Sequence, residues 1–198
     1  MRKKSHILLA RYLADQMKTT ESLQLHRKAF CFGNILPDIR PSFVTKRHEF
    51  FGTFDEIQDK IKELISMRPE QLNERVYWRR FGEVMHYMAD YFTFPHNKTY
   101  KGSFSEHNHY EKILKDRLKA CITSGQAYQH LEEAIPFRST AHLMDYIRTS
   151  HAHYLAKLRN VQEDIHFILN VCFQVVQGIV RLCIGDAYSA DLCVAAVH

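Results

Sequence analysis

The sequence is poor in the residues that make turns. Gly occurs 7 times and Pro 5 times in 198 residues, about half of their usual combined share of roughly 12%. A sandwich or barrel of many short strands needs more turn formers than this. The shortage therefore predicts an all-α protein. Because no repeat, linker or change of composition divides the chain, we expect a single compact multi-helix domain over residues 1–198.

Cysteine is also scarce, and its pattern does not point to secretion. The 5 cysteines form no CxxC pair, and an odd number fits poorly with a complete disulfide framework. Near the amino terminus the apolar run 7–10 ends at Arg11, which makes it far shorter than the hydrophobic region of a signal peptide. We therefore expect reduced thiols and a cytoplasmic location.

A transmembrane segment is not expected either. The stretch 165–184 is long enough to span a membrane, but it carries polar side chains three or four residues apart: His166, Asn170, Gln174, Gln177 and Arg181. This spacing places them on one stripe of a helix, and a helix that faces lipid would not carry such a stripe. The stretch is predicted to be a core helix with one polar side.

The helical prediction extends to most of the chain. Apolar periodicity indicates helices near 5–18, 22–32, 53–65, 69–94, 105–123, 139–159 and 160–184, with a shorter one near 127–134. Thr53 and Glu56 have the spacing of a capping box at the start of the third helix. Before it, the segment 33–41 contains two prolines and is predicted to be an ordered loop that carries Asp38.

Motifs for serine nucleophiles and for nucleotide binding are missing. There is no GxSxG, no P-loop and no GxGxxG. Histidine, in contrast, is abundant: the chain has 13, as many as Phe, and neither end carries a His-rich tract. Any function for this excess has to follow from the positions of the histidines.

Two pairs of a histidine and a carboxylate have the spacing of a shared helix face. His86 and Asp90 are four residues apart in one predicted helix, and His107 and Glu111 repeat the arrangement in the next. His96 lies between the pairs, in a loop. One such pair alone is more often hydrogen-bonded than metal-bound. Three imidazoles and two carboxylates together favour a metal site, with zinc first and manganese or iron as alternatives.

Seven other histidines are not predicted to bind metal. His109 is two residues from both His107 and Glu111, so it points away from them and is predicted to lie on the surface or just behind the ligands. The others are interpreted as core or surface residues: His26, His130, His142, His151, His153 and His166.

The paired histidines belong to a longer signature. The stretch HYMADYFTFPH has the pattern H-x3-D-x5-H, and H-x3-E follows it. This resembles the core signature of the bacterial zinc-dependent phospholipase C enzymes. The single-strand-specific nucleases of the same fold are similar, with Asp where this chain has Glu111. Upstream, the early helical His6, the loop residue Asp38 and then His48 match the family in the right order.

Carried over position by position, the resemblance implies zinc bound in two groups within an all-helical domain. The ligands of the first zinc would be His48, His86 and Asp90. The ligands of the second zinc would be His96, His107 and Glu111. Asp38 would bind or hydrogen-bond near the first zinc and orient or deprotonate the attacking water, which makes it the catalytic candidate.

The resemblance also implies a third zinc, which shares Asp90 and is bound by His6. In the family its remaining ligands come from a processed amino-terminal Trp, whereas this sequence starts with Met1 and has no Trp before Trp78. The amine of Met1 is a candidate replacement. We therefore expect two zinc ions and leave the third site open.

The activity implied by the resemblance is metal-dependent hydrolysis of phosphoester bonds, with water activated in a di- or trinuclear zinc cluster. The formal net charge of +5 agrees with an anionic phosphoester substrate, such as a phospholipid.

Two alternatives stay open. A nuclease-like phosphodiesterase should present aromatic residues that stack on bases; the candidates are Tyr91, Phe92, Phe94 and Tyr100, although aromatic residues at helical spacing are more often core. Nucleic acid is accordingly the less favoured partner. The other alternative is a non-catalytic metal-binding protein that keeps the cluster.

Overall fold

Helices make up the regular secondary structure of this protein. The structure, a computed structural model, describes residues 1–40, 49–67, 73–157 and 159–195, with side chains described as far as residue 184. The α-helices are α1 (Lys3–Gln16), α2 (Glu21–Leu25), α3 (Arg27–Gly33), α4 (Phe50–Ser66), α5 (Glu74–Tyr91), α6 (Phe104–Thr123), α7 (Thr140–Ala156) and α8 (Val161–Ala195). Short 3-10 helices cover Phe94–His96 and Gln126–His130. This part of the chain contains no strand, and the predicted all-α fold class is confirmed.

The two helices that carry the histidine and carboxylate pairs both begin at side-chain caps. The Asn73 side chain accepts a hydrogen bond from the backbone N–H of Val76 at the start of α5. Ser103 and Glu106 form a reciprocal capping box at the start of α6. Both helices carry candidate ligands, so the caps determine where those ligands fall along each helix.

The capping box predicted at Thr53 and Glu56 is wrong. α4 already begins at Phe50, and Thr53 is 3% exposed inside it. The Thr53 hydroxyl donates to the Glu49 carbonyl at 2.8 Å and lies 2.8 Å from the Tyr91 hydroxyl. The side chain therefore contributes to the packing of α4 on α5 and is not available as a cap.

The single helix predicted over 22–32 is divided into α2 and α3. The backbone leaves helical geometry at His26, where φ is −109° and ψ is 20°. Gln24 explains the bend, because its amide donates to the carbonyls of Ala14 and Met17 at the end of α1. Both carbonyls also accept a backbone N–H, from Met17 and Thr20 respectively, so the amide adds a second hydrogen bond to each and holds α2 against α1. α3 then packs along α5.

The short helix predicted near 127–134 ends early. Only its first residues are helical, in a 3-10 helix, and the chain continues in extended form. The side chain of Asn170 accepts a hydrogen bond from the backbone N–H of Glu132 at 3.2 Å, and that of Gln174 accepts one from Ile135 at 2.9 Å. Two residues of the polar stripe on α8 thus supply the acceptors that a helix would otherwise provide for these backbone N–H groups.

α8 is a core helix. Residues 161–184 are long and apolar enough to cross a membrane by length and composition, but 67% of the most apolar stretch is buried inside the protein. Ile168, Leu169 and Val175 have no exposed surface. This burial agrees with the core position predicted from the polar stripe.

The crossing of α3 and α5 is very close because both helices have a glycine there. A Cβ atom at Gly33 would lie 2.0 Å from the carbonyl oxygen of Arg79, and one at Gly82 would lie 2.2 Å from that of Phe30. Only glycine leaves room for two backbones to approach in this way. The crossing places the end of α3 against the part of α5 that carries His86.

Candidate metal centre

α5 carries the first histidine and carboxylate pair on a buried face. His86 and Asp90 have no exposed surface, and His86 Nε2 lies 3.2 Å from Asp90 Oδ2. The four-residue spacing places the two side chains one helical turn apart. Because the pair is shielded from water, its electrostatic interactions are stronger than they would be at the surface.

The ring of His86 is oriented by a backbone carbonyl. Its Nδ1 lies 2.8 Å from the carbonyl oxygen of Asn34, so Nδ1 is the donor there, and Nε2, which faces Asp90 and Asp38, is the atom that would bind a metal. Histidines that bind metals are commonly held in this way. This role of Asn34 could not be predicted from the sequence, where its one signal is its position directly after Gly33.

Three candidate ligands from separate segments meet beside α5. His6 of α1, Asp38 and His86 each have a ligand atom within 4.8 Å of the others. The rings of His6 and His86 stack with their centroids 4.0 Å apart, and His86 Nε2 is 3.7 Å from Asp38 Oδ1. These three residues are named the first group. His48, which is predicted to bind the first zinc together with His86 and Asp90, lies outside the described residues.

A second group lies where α6 meets the 3-10 helix that follows α5. Ligand atoms of His96, His107 and Glu111 lie within 4.8 Å of one another. Glu111 Oε1 is 3.0 Å from His96 Nε2 and 3.1 Å from His107 Nε2. These are the three residues predicted for the second zinc. His109 is exposed and belongs to neither group.

Asp90 lies between the two groups. Its Oδ1 is 3.3 Å from His6 Nε2 in the first group, and its Oδ2 is 3.5 Å from His96 Nδ1 in the second. Burial alone would raise the pKa of Asp90, but His96, the Met1 amine and His86 together hold that pKa well below its usual range. Asp90 is therefore ionised, which is the form of a carboxylate that binds metals.

This arrangement can be compared with known proteins. A family model described as zinc-dependent phospholipase C matches residues 5–161, a span that contains both groups and Asp90. The chain belongs to the zinc-dependent phospholipase C family. No curated protein and no solved structure matches it. Membership confirms the predicted resemblance and supports a hydrolase that uses zinc.

The donor atoms of this phospholipase C family member fit zinc. Imidazole nitrogens and carboxylate oxygens are ligands that zinc takes. His6 is fully buried, its Nε2 has only the 3.3 Å contact with Asp90, and its Nδ1 has no hydrogen-bond partner among the described residues, which is costly for a buried polar atom. Burial, with His86 beside it, lowers the pKa of His6 to about 3, so the ring is neutral and able to bind a metal at neutral pH. A zinc ion in the first group would supply the missing partner.

The amine of Met1 lies among the same carboxylates. It donates a hydrogen bond to Asp90 Oδ1, and it lies 3.2 Å from Glu111 Oε1 and 3.0 Å from His96 Nε2. Burial opposes its charge, but Asp90 and Glu111 outweigh burial and raise the pKa of the amine to about 10. The amine thus lies near Asp90, the residue that the resemblance implies is shared with a third zinc.

An ion pair ties the Asp38 loop of this family member to α5. Arg40 donates through both terminal nitrogens to the Glu83 carboxylate, at 2.9 and 3.0 Å. Glu83 is 5% exposed and lies one helical turn before His86. A two-point contact of this kind is stronger and more directional than a single one. The pair holds Asp38 beside His86, and it could not be predicted from the sequence because its members are 43 residues apart.

Proposed function

We propose that the protein hydrolyses phosphoester bonds at a two-zinc centre formed by the first and second groups. The observation that carries the proposal is the position of Asp90, which contacts a histidine of each group. A carboxylate shared between two sets of ligands is suited to a two-metal site. Zinc bound there supplies positive charge for phosphate oxygens and lowers the pKa of a bound water.

Asp38 is the candidate for proton transfer. Its side chain is 8% exposed, whereas the side chains of His86 and Asp90 are fully buried. Asp38 therefore lies at the edge of the first group that is nearest to solvent. A carboxylate in that position can orient the attacking water and accept its proton. The contact between Arg40 and Glu83 keeps it there.

The second group is the more accessible side of the centre. The side chains of His107, His96 and Glu111 are 29%, 14% and 11% exposed. We therefore propose that the substrate phosphate approaches from this side. The net charge of +5 favours the approach of an anionic substrate.

The positions of the aromatic residues favour a phospholipid or a small phosphoester over single-stranded nucleic acid. Tyr91 and Phe92, two of the four candidates for base stacking, have no exposed surface. Phe94 and Tyr100, the other two, pack edge-to-face with ring centroids 5.2 Å apart. Bases need accessible ring faces to stack on, so we do not propose a nuclease.

Metal content and hydrolysis, measured together, test this proposal. Purified without chelator, the protein is expected to hold about two zinc ions per chain. It should hydrolyse a bis-aryl phosphodiester or phosphatidylcholine faster than single-stranded DNA. Fewer than one bound metal per chain would contradict the centre. A fully metallated chain without activity on any of the three substrates would identify a metal-binding protein that is not an enzyme.

The substitution His107→Ala is expected to remove one zinc ion and to lower kcat/KM by more than about 100-fold. The reason is that even residues which only support a ligand typically contribute 10- to 100-fold. Zinc content by mass spectrometry and phosphodiester hydrolysis measure the two effects. The matched control is His109→Ala, which changes an exposed histidine of the same helix and should change neither. Equal losses in the two variants would show that the wrong histidine is assigned to the second group.

A further inference from the structure

A buried carboxylate on α8 joins the elements that carry the second group. Asp164 has no exposed surface. Its Oδ2 accepts hydrogen bonds from the backbone N–H of Phe94 and from the Tyr110 hydroxyl, both at 2.9 Å. Its Oδ1 accepts one from the Tyr154 hydroxyl at 2.6 Å. Burial raises the pKa of Asp164 to about 6. Within the described part of the chain, no cation pairs with this carboxylate. The three hydrogen bonds stabilise it instead.

The two donors to Oδ2 stand next to candidate ligands. Phe94 is the first residue of the 3-10 helix that ends with His96. Tyr110 directly precedes Glu111 on α6. One oxygen of Asp164 therefore links the two segments that bring His96 Nε2 and Glu111 Oε1 to 3.0 Å from each other.

The loop that carries His96 also has an anchor at its other end. The Asn97 amide donates to the carbonyls of Tyr91 and Thr93 at 3.2 and 3.0 Å, and its oxygen lies 3.0 Å from Nε2 of His151 on α7. Loss of the bonds to Asp164 should therefore shift the start of the loop without releasing the whole of it.

From these contacts we infer that Asp164 positions His96 and Glu111 for the second zinc, a role that rests on the proposed metal centre. Asp164 touches neither ligand and acts through Phe94 and Tyr110. Groups that orient the ligands of a metal typically change its affinity by 10- to 100-fold. The family match ends at residue 161, so α8 makes this contribution from outside the matched segment.

Cobalt binding to the full chain tests the inference. Two Co²⁺ ions are expected in the wild type, and chelator competition and visible absorption follow each of them. Asp164→Leu should lower the affinity for the second Co²⁺ ion by about 10- to 100-fold and leave the affinity for the first ion unchanged. Asp164→Asn should restore most of the affinity, because its amide oxygen can still accept from Phe94 and Tyr110 at the Oδ2 position.

Tyr154→Phe is the matched control. It removes a hydrogen bond to the same carboxylate, but from a helix that carries no candidate ligand. It should lower Tm and leave Co²⁺ affinity unchanged. Tyr110→Phe is measured beside it, so that the test stands even if Asp164→Leu does not fold. The two variants should lose a similar amount of Tm. Tyr110→Phe should lower the affinity for the second Co²⁺ ion, whereas Tyr154→Phe should not.

A His107→Ala background shows which ion responds. There, Asp164→Leu should have no further effect on the remaining Co²⁺. An equal loss of affinity for both Co²⁺ ions in Asp164→Leu would overturn the positioning role. So would a loss of affinity in Tyr154→Phe as large as that in Asp164→Leu. A wild type that binds no Co²⁺ would overturn the metal centre as well. Two ions in the wild type with unchanged affinities in Asp164→Leu would overturn this inference alone.

Discussion

The substitution Asp90→Asn is expected to disable the metal centre with almost no change in side-chain size. The carboxylate contacts His6, His86 and His96, and an amide would lose the negative charge and one of the two oxygens that face them. We expect zinc to fall to one ion per chain or fewer. We also expect kcat/KM to fall by about 1000-fold or more, since bound metal contributes several kcal/mol to such reactions. Metal analysis and phosphodiester hydrolysis measure both effects.

Asp116→Asn is the control for Asp90→Asn. Asp116 lies on α6 with its side chain 57% exposed, beside Lys115, so the same chemical change there should alter neither zinc content nor activity. Circular dichroism should show native helix content in both variants. Two zinc ions retained in folded Asp90→Asn would contradict a shared role for this carboxylate.

Gly82→Ala is expected to damage the fold and the metal centre together. The added methyl group would lie 2.2 Å from the carbonyl oxygen of Phe30, and because that oxygen belongs to the backbone, α3 and α5 must move apart. Overpacking of this kind typically costs 1 to 3 kcal/mol and occasionally more, so we expect a loss of about 3 kcal/mol in the free energy of unfolding. The shift would also pull the Asn34 carbonyl from His86 and weaken metal binding.

Gly52→Ala is the control for this backbone contact. Gly52 lies in the first turn of α4, and a Cβ atom there would meet nothing within 4 Å. Alanine should stabilise the helix by up to about 1 kcal/mol, because glycine loses more backbone entropy on folding. Urea unfolding measures both changes. If Gly82→Ala were as stable as the wild type, the close crossing would not constrain the fold.

The local parts of this site could be predicted from the sequence. Four-residue spacing is enough to put His86 beside Asp90 and His107 beside Glu111, because a helix determines which side chains share a face. The low Gly and Pro content likewise predicts helices without reference to packing. The errors at Thr53 and at 22–32 have the opposite cause: there, contacts with α5 and α1 override the local capping and periodicity signals.

The contacts between distant segments could not be predicted from spacing along the sequence. Family resemblance marks His6 and Asp38 as ligands, but no spacing shows that the ring of His6 stacks on that of His86. Asn34, Glu83 and the Met1 amine contribute through contacts that span between 43 and 95 residues. Such contacts follow from how the helices pack, which short-range patterns do not contain.

By itself, then, the sequence determined the helical class, the two ligand pairs and the family, because each depends on residue type and spacing along the chain. Only the tertiary structure decided that Asp90 lies between both groups, that Asn34 orients His86, and that Asp164 links the segments of His96 and Glu111. Those features depend on two glycines that let α3 and α5 approach and on a buried α8. Both are packing contacts between helices that are far apart in the chain.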